Sequence, residues 1–178
     1  MRVVVRTNLY EAGPVCPVHV EPEPGQESVW DYPRPPALVP DGRRVVVTFA
    51  GEVVADTTRA LKVLETSHPP TWYLPLADVD RGRLRAADGA SFCEWKGAAS
   101  YVDVVAGGRV AAEAGWYYGE PAPAYADLVD HVAFYAGRLD EVTVDGVPVE
   151  AQPGGFYGGW ITPEVVGPFK GGPGSMGW

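Results

Sequence analysis

Three dipeptides set the frame of this 178-residue chain: Ala50-Gly51, Gly107-Gly108 and Asp145-Gly146. Each sits between two short runs rich in valine and alanine. Val45-Val46-Val47-Thr48-Phe49 is answered by Val53-Val54-Ala55, Tyr101 to Ala106 by Arg109-Val110-Ala111, and Glu141-Val142-Thr143-Val144 by Val147-Pro148-Val149. Residues that accept positive φ, placed between β-branched runs, predict tight hairpins. Trp72-Tyr73-Leu74, Ala114 to Tyr118 and Val132 to Tyr135 read as further strands. Many short strands joined by tight turns predict a mainly β fold with antiparallel pairing. Pro148 has no N–H to give to a ladder, which places its strand at a sheet edge.

Three regions follow from the punctuation. Residues 1–40 form an extended, proline-rich arm, in which Val3 to Val5 could make a short edge strand and Trp30 and Tyr32 are the anchors. Residues 41–152 form the single β domain. Residues 153–178 form a tail rich in glycine and aromatics, whose Phe156, Tyr157, Trp160, Phe169 and Trp178 predict packing on the body or on a partner subunit. Two short helices are expected: Thr57 to Leu64, capped by Asp56 and ended by Pro69-Pro70, and a turn or two around Ala124 to Val129. Residues 77–90 read as a polar loop with a helical turn, followed by a central strand over about 91–96.

A formal net charge of −9 disfavours binding to nucleic acid or to anionic membrane surfaces, since both need clustered Lys and Arg. No run reaches the length of a membrane span, and Met1 to Arg6 is too short and charged for a signal peptide, so a cytoplasmic location is expected. The alanine, glycine, proline and valine content, with Arg favoured over Lys, suggests a bacterial genome of high GC content. Cys16 and Cys93 are far apart with no CxxC pair and no His cluster, so neither a metal site nor a cofactor is predicted.

Chemistry concentrates in Phe92-Cys93-Glu94-Trp95-Lys96-Gly97-Ala98-Ala99-Ser100-Tyr101. Extended backbone would put Phe92, Glu94 and Lys96 on one face, lining a pocket, and Cys93 and Trp95 on the other, in packing. Lys96 is then the candidate for holding an anionic group and Glu94 for acid–base or orienting work; a plain structural ion pair is the competing reading. Glu65 and His68 are expected at the pocket mouth, His68 either as a general base or as a cap on a helix C-terminus. Tyr73, Tyr101, Trp116 and Tyr118 are candidates for the pocket wall, with packing as the alternative. Cys93 reads as an inert buried thiol, Asp103 as a solvent-facing acid, and His19 and His131 as structural or exposed. P-loop, GxGxxG, HExxH and GxSxG motifs are absent.

Glu65-Thr66-Ser67-His68-Pro69-Pro70, Cys93-Glu94-Trp95-Lys96-Gly97, Trp116-Tyr117-Tyr118, Phe134-Tyr135 and Gly155-Phe156-Tyr157-Gly158-Gly159-Trp160 together resemble the bacterial domain-of-unknown-function 427 family, which some collections label a nucleotidyltransferase domain. The resemblance centres on residues 44–150. It implies a compact, cup-shaped β fold of the Mss4 and methionine-sulfoxide-reductase B kind. Many of those relatives hold zinc on paired CxxC motifs, which this chain lacks, so no metal carries over. The leading functional expectation is a pocket for a small anionic or planar ligand, with or without catalysis. A structural or interaction module, forming a homo-oligomer through arm or tail, is the second. Nucleotidyl transfer, as the label suggests, is the third, although the Gly-Ser pair and paired aspartates such an enzyme would show are missing.

Overall fold

The computed structural model describes residues 17–175 and 177–178. The strand expected at Val3 to Val5 and the thiol of Cys16 lie outside the described residues. Fifteen strands are described, in order β1 (Glu27–Ser28), β2 (Ala37–Asp41), β3 (Val45–Phe49), β4 (Glu52–Thr57), β5 (Ala60–Leu64), β6 (Thr71–Pro75), β7 (Leu84–Cys93), β8 (Gly97–Ala106), β9 (Arg109–Tyr117), β10 (His131–Phe134), β11 (Glu141–Val144), β12 (Val147–Pro148), β13 (Glu150–Ala151), β14 (Trp160–Ile161) and β15 (Val165–Val166). The fold is mainly β. Its helical segments are short 3-10 turns, including Pro123–Leu128 where a short helix was expected. Among the described residues no helix is long and apolar enough to cross a membrane.

All three hairpins form at the expected dipeptides, with φ of 53° and 75° at Ala50 and Gly51, 53° and 74° at Gly107 and Gly108, and 49° and 77° at Asp145 and Gly146. Positive φ at both turn positions gives the twist that strand pairs prefer. β12, with Pro148, lies at the edge of a four-stranded antiparallel sheet ordered β12-β11-β3-β4. A seven-stranded antiparallel sheet runs β2-β5-β6-β10-β9-β8-β7.

The four-stranded sheet packs on one face of the seven-stranded one. Val45, Val47, Phe49, Val142 and Val144 meet Trp72, Leu74, Val104, Val132 and Phe134 in the main core. Strand alternation sends the intervening residues, Tyr73, Ala133 and Tyr135, to the other face, where they form a second cluster with Val63, Trp116, Tyr118, Tyr125 and Leu128. In β9 the register jumps between Val102↔Gly115 and Val104↔Ala111. This bulge sets Ala111 and Ala114 in the main core and Trp116 on the opposite face. Asp103 is part of the device and not a free surface acid: its Oδ1 accepts the Glu113 N–H at 2.9 Å.

Three local readings are corrected. Thr57 to Leu64 is no helix, because β5 is paired on both sides, with β2 and with β6, and ladder bonds outweigh weak local helix propensity. Residues 84–90 belong to the long edge strand β7 and not to a loop. The strand also stops at Cys93: Glu94, Trp95 and Lys96 form the turn between β7 and β8, and Gly97 follows with φ +98°.

Arm and tail are tied to the body and to each other. Glu27 and Ser28 pair in parallel with Val165 and Val166. Trp30 Nε1 donates to the Pro168 carbonyl at 2.8 Å, and the buried Tyr32 hydroxyl donates to Glu27 at 2.6 Å. From the tail, Trp160 enters the main core, stacks on Trp72 at 5.8 Å and donates its Nε1 to the Phe134 carbonyl at 2.9 Å. Trp160→Ala should therefore lower unfolding free energy by about 3–5 kcal/mol, read as a shift of the urea midpoint; a loss below about 1 kcal/mol would show that the tail adds nothing to the core.

Candidate functional site

Among the described residues, the second face of the seven-stranded sheet is not covered by the four-stranded sheet, which packs on the other side. Arm, tail and loops cover it in part, and between them lies a cavity of about 410 Å³. All eight residues singled out in the sequence, Glu65, His68, Tyr73, Glu94, Lys96, Tyr101, Trp116 and Tyr118, line it. So do Phe92, Cys93 and Trp95. The expected division, with Phe92, Glu94 and Lys96 inward and Cys93 and Trp95 in packing, holds only in part: Cys93 and Trp95 pack on the second cluster and yet border the opening as well. A turn does not preserve strand alternation, so all five side chains of the hairpin end can border one opening. Phe92 and Glu94 are exposed, Trp95 and Cys93 half-buried, and Lys96 buried.

The wall is aromatic and braced. Trp116 Nε1 donates to the Tyr73 hydroxyl at 3.3 Å, and the Tyr101 hydroxyl donates to Ser91 Oγ at 3.0 Å. Tyr101 stacks parallel to Tyr135 with centroids 6.5 Å apart, and Trp116 lies 4.5 Å from Tyr135. Burial is the main cause holding the Tyr73, Tyr118 and Tyr135 phenols above their ordinary value, so all three stay protonated at neutral pH. The tail closes one side: the Tyr135 hydroxyl donates to the Phe156 carbonyl at 3.1 Å. Gly158 lies flat against Trp116, where any Cβ would overlap the indole ring. Cys93 is a half-buried thiol bordering the cavity and not one sealed in the core.

His68 is neither a helix cap nor a free base. It is 8% exposed, in a turn, beside Tyr157 at 4.5 Å in an edge-to-face contact. Gln152 fixes its protonation. Gln152 Oε1 accepts the Gly159 N–H at 3.0 Å, and its amide nitrogen donates to the Lys170 carbonyl at 2.8 Å and meets His68 Nδ1 at 2.9 Å. The amide orientation being set by Gly159, Nδ1 must accept and the ring proton must sit on Nε2. Burial, with Lys170, Arg34 and Lys96 adding their charge, holds the pKa of His68 down to about 4. His68 is therefore a neutral N–H donor at pH 7.

The charges are the sharpest feature. Lys62 is paired with Asp41 at 3.1 Å, and Lys170 Nζ donates to the Trp178 main-chain oxygen at 2.6 Å. Lys96, only 7% exposed, has no carboxylate partner and no hydrogen-bond acceptor among the described residues; its ammonium lies 6.0 Å from the centre of the Tyr125 ring. Glu94, two residues away, makes no ion pair with it, so the plain ion-pair reading is not what the structure holds. Arg34, which the sequence reading passed over, lines the cavity and reaches Glu65 at 3.9 Å. Lys170, Gln152, Tyr135 and Tyr157 also belong to the site, from the tail or a strand end. The Phe134-Tyr135 and Phe156-Tyr157 stretches carry a sequence signal for the two tyrosines, whereas Gln152 and Lys170 have none.

The geometry defines a β protein of two main sheets and two small two-stranded ones, with an aromatic, cation-bearing cavity on the outer face of the largest sheet. The chain belongs to a family described as a domain of unknown function (DUF427), whose model carries a nucleotidyltransferase label and matches residues 37–145. No curated protein matches the sequence.

A pH experiment checks the His68 environment. The folded pKa of about 4 lies below the ordinary value of about 6.5, so the unfolded chain takes up the proton first. Stability is unaffected above pH 6.5 and falls as pH drops toward 4, by at most about 3 kcal/mol. His68→Gln should remove that part of the slope in urea unfolding between pH 7 and 4; equal slopes in both proteins would refute the buried neutral ring.

Proposed function

We propose that the protein binds a small anionic molecule in this cavity, with Lys96 as the group that receives the charge. The carrying observation is Lys96, a residue 7% exposed that lines the cavity with no counter-charge among the described residues. A lysine so far enclosed is normally paired, and a structural role would have supplied the pair. Arg34, Lys170 and the Nε2–H of His68 add to the same polarity, in a chain whose net charge is −9. Protonated Tyr73 and Tyr118 supply hydroxyls, and the aromatic wall suits a flat body. The volume of about 410 Å³ is that of a small-molecule site.

Glu94 at the mouth and Glu65 beside Arg34 are the groups that would move a proton if a reaction follows binding. The two carboxylates come from separate loops and Glu65 leans on Arg34, so the reading rests on binding and not on nucleotidyl transfer. A cup-shaped, Mss4-like form and a bacterial cytoplasmic setting belong to the same reading.

The test is a thermal-shift and calorimetric panel of inorganic phosphate, small carboxylates and sugar phosphates, run on the protein and on Lys96→Met. Binding of at least one anion should raise Tm, and Lys96→Met should weaken it by about tenfold or more, the size of one charge-assisted contact. Without ligand, Lys96→Met should keep or raise Tm, because it removes a charge that has no counter-charge among the described residues and keeps an apolar stem of similar length. A steep fall in Tm, with anion binding intact, would assign Lys96 to structure instead.

A further inference from the structure

Among the described residues the large apolar side chains left exposed are six valines and two phenylalanines, Phe92 and Phe156. Both phenylalanines border the cavity, although they lie on different parts of the fold. Phe92 is 78% exposed at the end of the edge strand, opposite only the methyl of Ala98. Phe156 is 68% exposed on the tail, its backbone held by the Tyr135 hydroxyl while its ring is left out. Single exposed apolar residues are ordinary, but it is not ordinary for the only two exposed Phe, Tyr or Trp rings among the described residues to stand at one opening.

Two of the donors, Lys96 and His68, are buried, whereas the bare rings share the exposed level with Arg34 and Glu94. A chain of edge-to-face contacts links the two levels, from Phe156 to Tyr157 at 5.0 Å and from Tyr157 to His68 at 4.5 Å. A bare anion would satisfy the inner end and leave the outer rings in water. A ligand that enters charge-first and carries an aromatic ring at its trailing end would satisfy both. From this arrangement, and resting on the anion-binding reading above, we infer that the cavity takes an aryl anion: a carboxylate or phosphate seated toward Lys96 and an aromatic ring held at the mouth by Phe92 and Phe156.

Paired probes test this. Phenyl phosphate is compared with inorganic phosphate, and 3-phenylpropionate with propionate, by calorimetry on the whole protein. The two pairs also tell a phosphate head from a carboxylate head. The aryl member of at least one pair should bind about tenfold more tightly or better, the gain expected from covering part of two exposed rings. In the Phe92→Ser, Phe156→Ser double variant that ratio should collapse toward one. Both rings are largely exposed, so the variant should fold, which an unchanged circular dichroism melt would verify. A ratio near one in the unaltered protein, with bare anions still binding, would overturn the aryl proposal and leave the anion site standing. A ratio kept in the double variant would overturn it as well. No binding by any of the four probes would overturn both.

Discussion

A sheet with two apolar faces needs two covers, and this one constraint organises the molecule. The valine-rich face of the seven-stranded sheet is covered by a second sheet, with Trp160 completing the seal. The other face carries Tyr73, Trp116, Tyr118 and Tyr135, rings too large and too polar at their ends to be closed by simple sheet packing. Arm and tail cover it instead, and irregular chain covers imperfectly. The cavity is the part left open. Its position follows from the alternation that splits Trp72 from Tyr73 and from the bulge that turns Trp116 outward.

Electrostatics then gives the opening its character. Most basic groups of this acidic chain are neutralised close by, as with Arg43 and Lys62 around Asp41, Arg44 on Asp56 and Arg59 on Asp78. At Asp41 burial alone would push the carboxyl up, yet hydrogen bonds from Arg43 and Lys62 hold it down to about 2. The cavity departs from that economy. Lys96 is left without a carboxylate partner among the described residues, and His68 is held in its uncharged form by burial and by the three cations around it. Lys96, Lys170, Arg34 and His68 all line the one opening, which makes it the basic part of an acidic chain.

Much of the fold was legible because it is written locally. Ala50-Gly51, Gly107-Gly108 and Asp145-Gly146 each demand positive φ, which few contexts other than a tight hairpin provide. Pro148 marked its own edge strand for the same kind of reason. The errors fell where non-local pairing decides. Thr57 to Leu64 has a passable helical stripe, and only β2 and β6 on either side make part of it a strand. The hairpin end failed differently: alternation was carried through Glu94 to Lys96, where Gly97 with φ +98° ends one strand run and begins another. Glu94 and Lys96 still border the cavity, since a hairpin tip brings both of its sides to the same place, and Tyr73, Trp116 and Tyr118 join them because alternation puts them on the same face of the sheet. Arg34, Gln152 and Lys170 were illegible because nothing near them in sequence hints at the face they cover.

The parallel pairing of Glu27 and Ser28 with Val165 and Val166 has a consequence for the order of events in synthesis. Both sheets can be assembled once Pro148 has emerged, and domains tend to fold as soon as their strands are available. The cavity cannot be finished then. Its Tyr157 and Lys170 side and the clasp at Val165 come only with the tail. A nascent or prematurely ended chain would thus present the folded sandwich with an open, unwalled aromatic face.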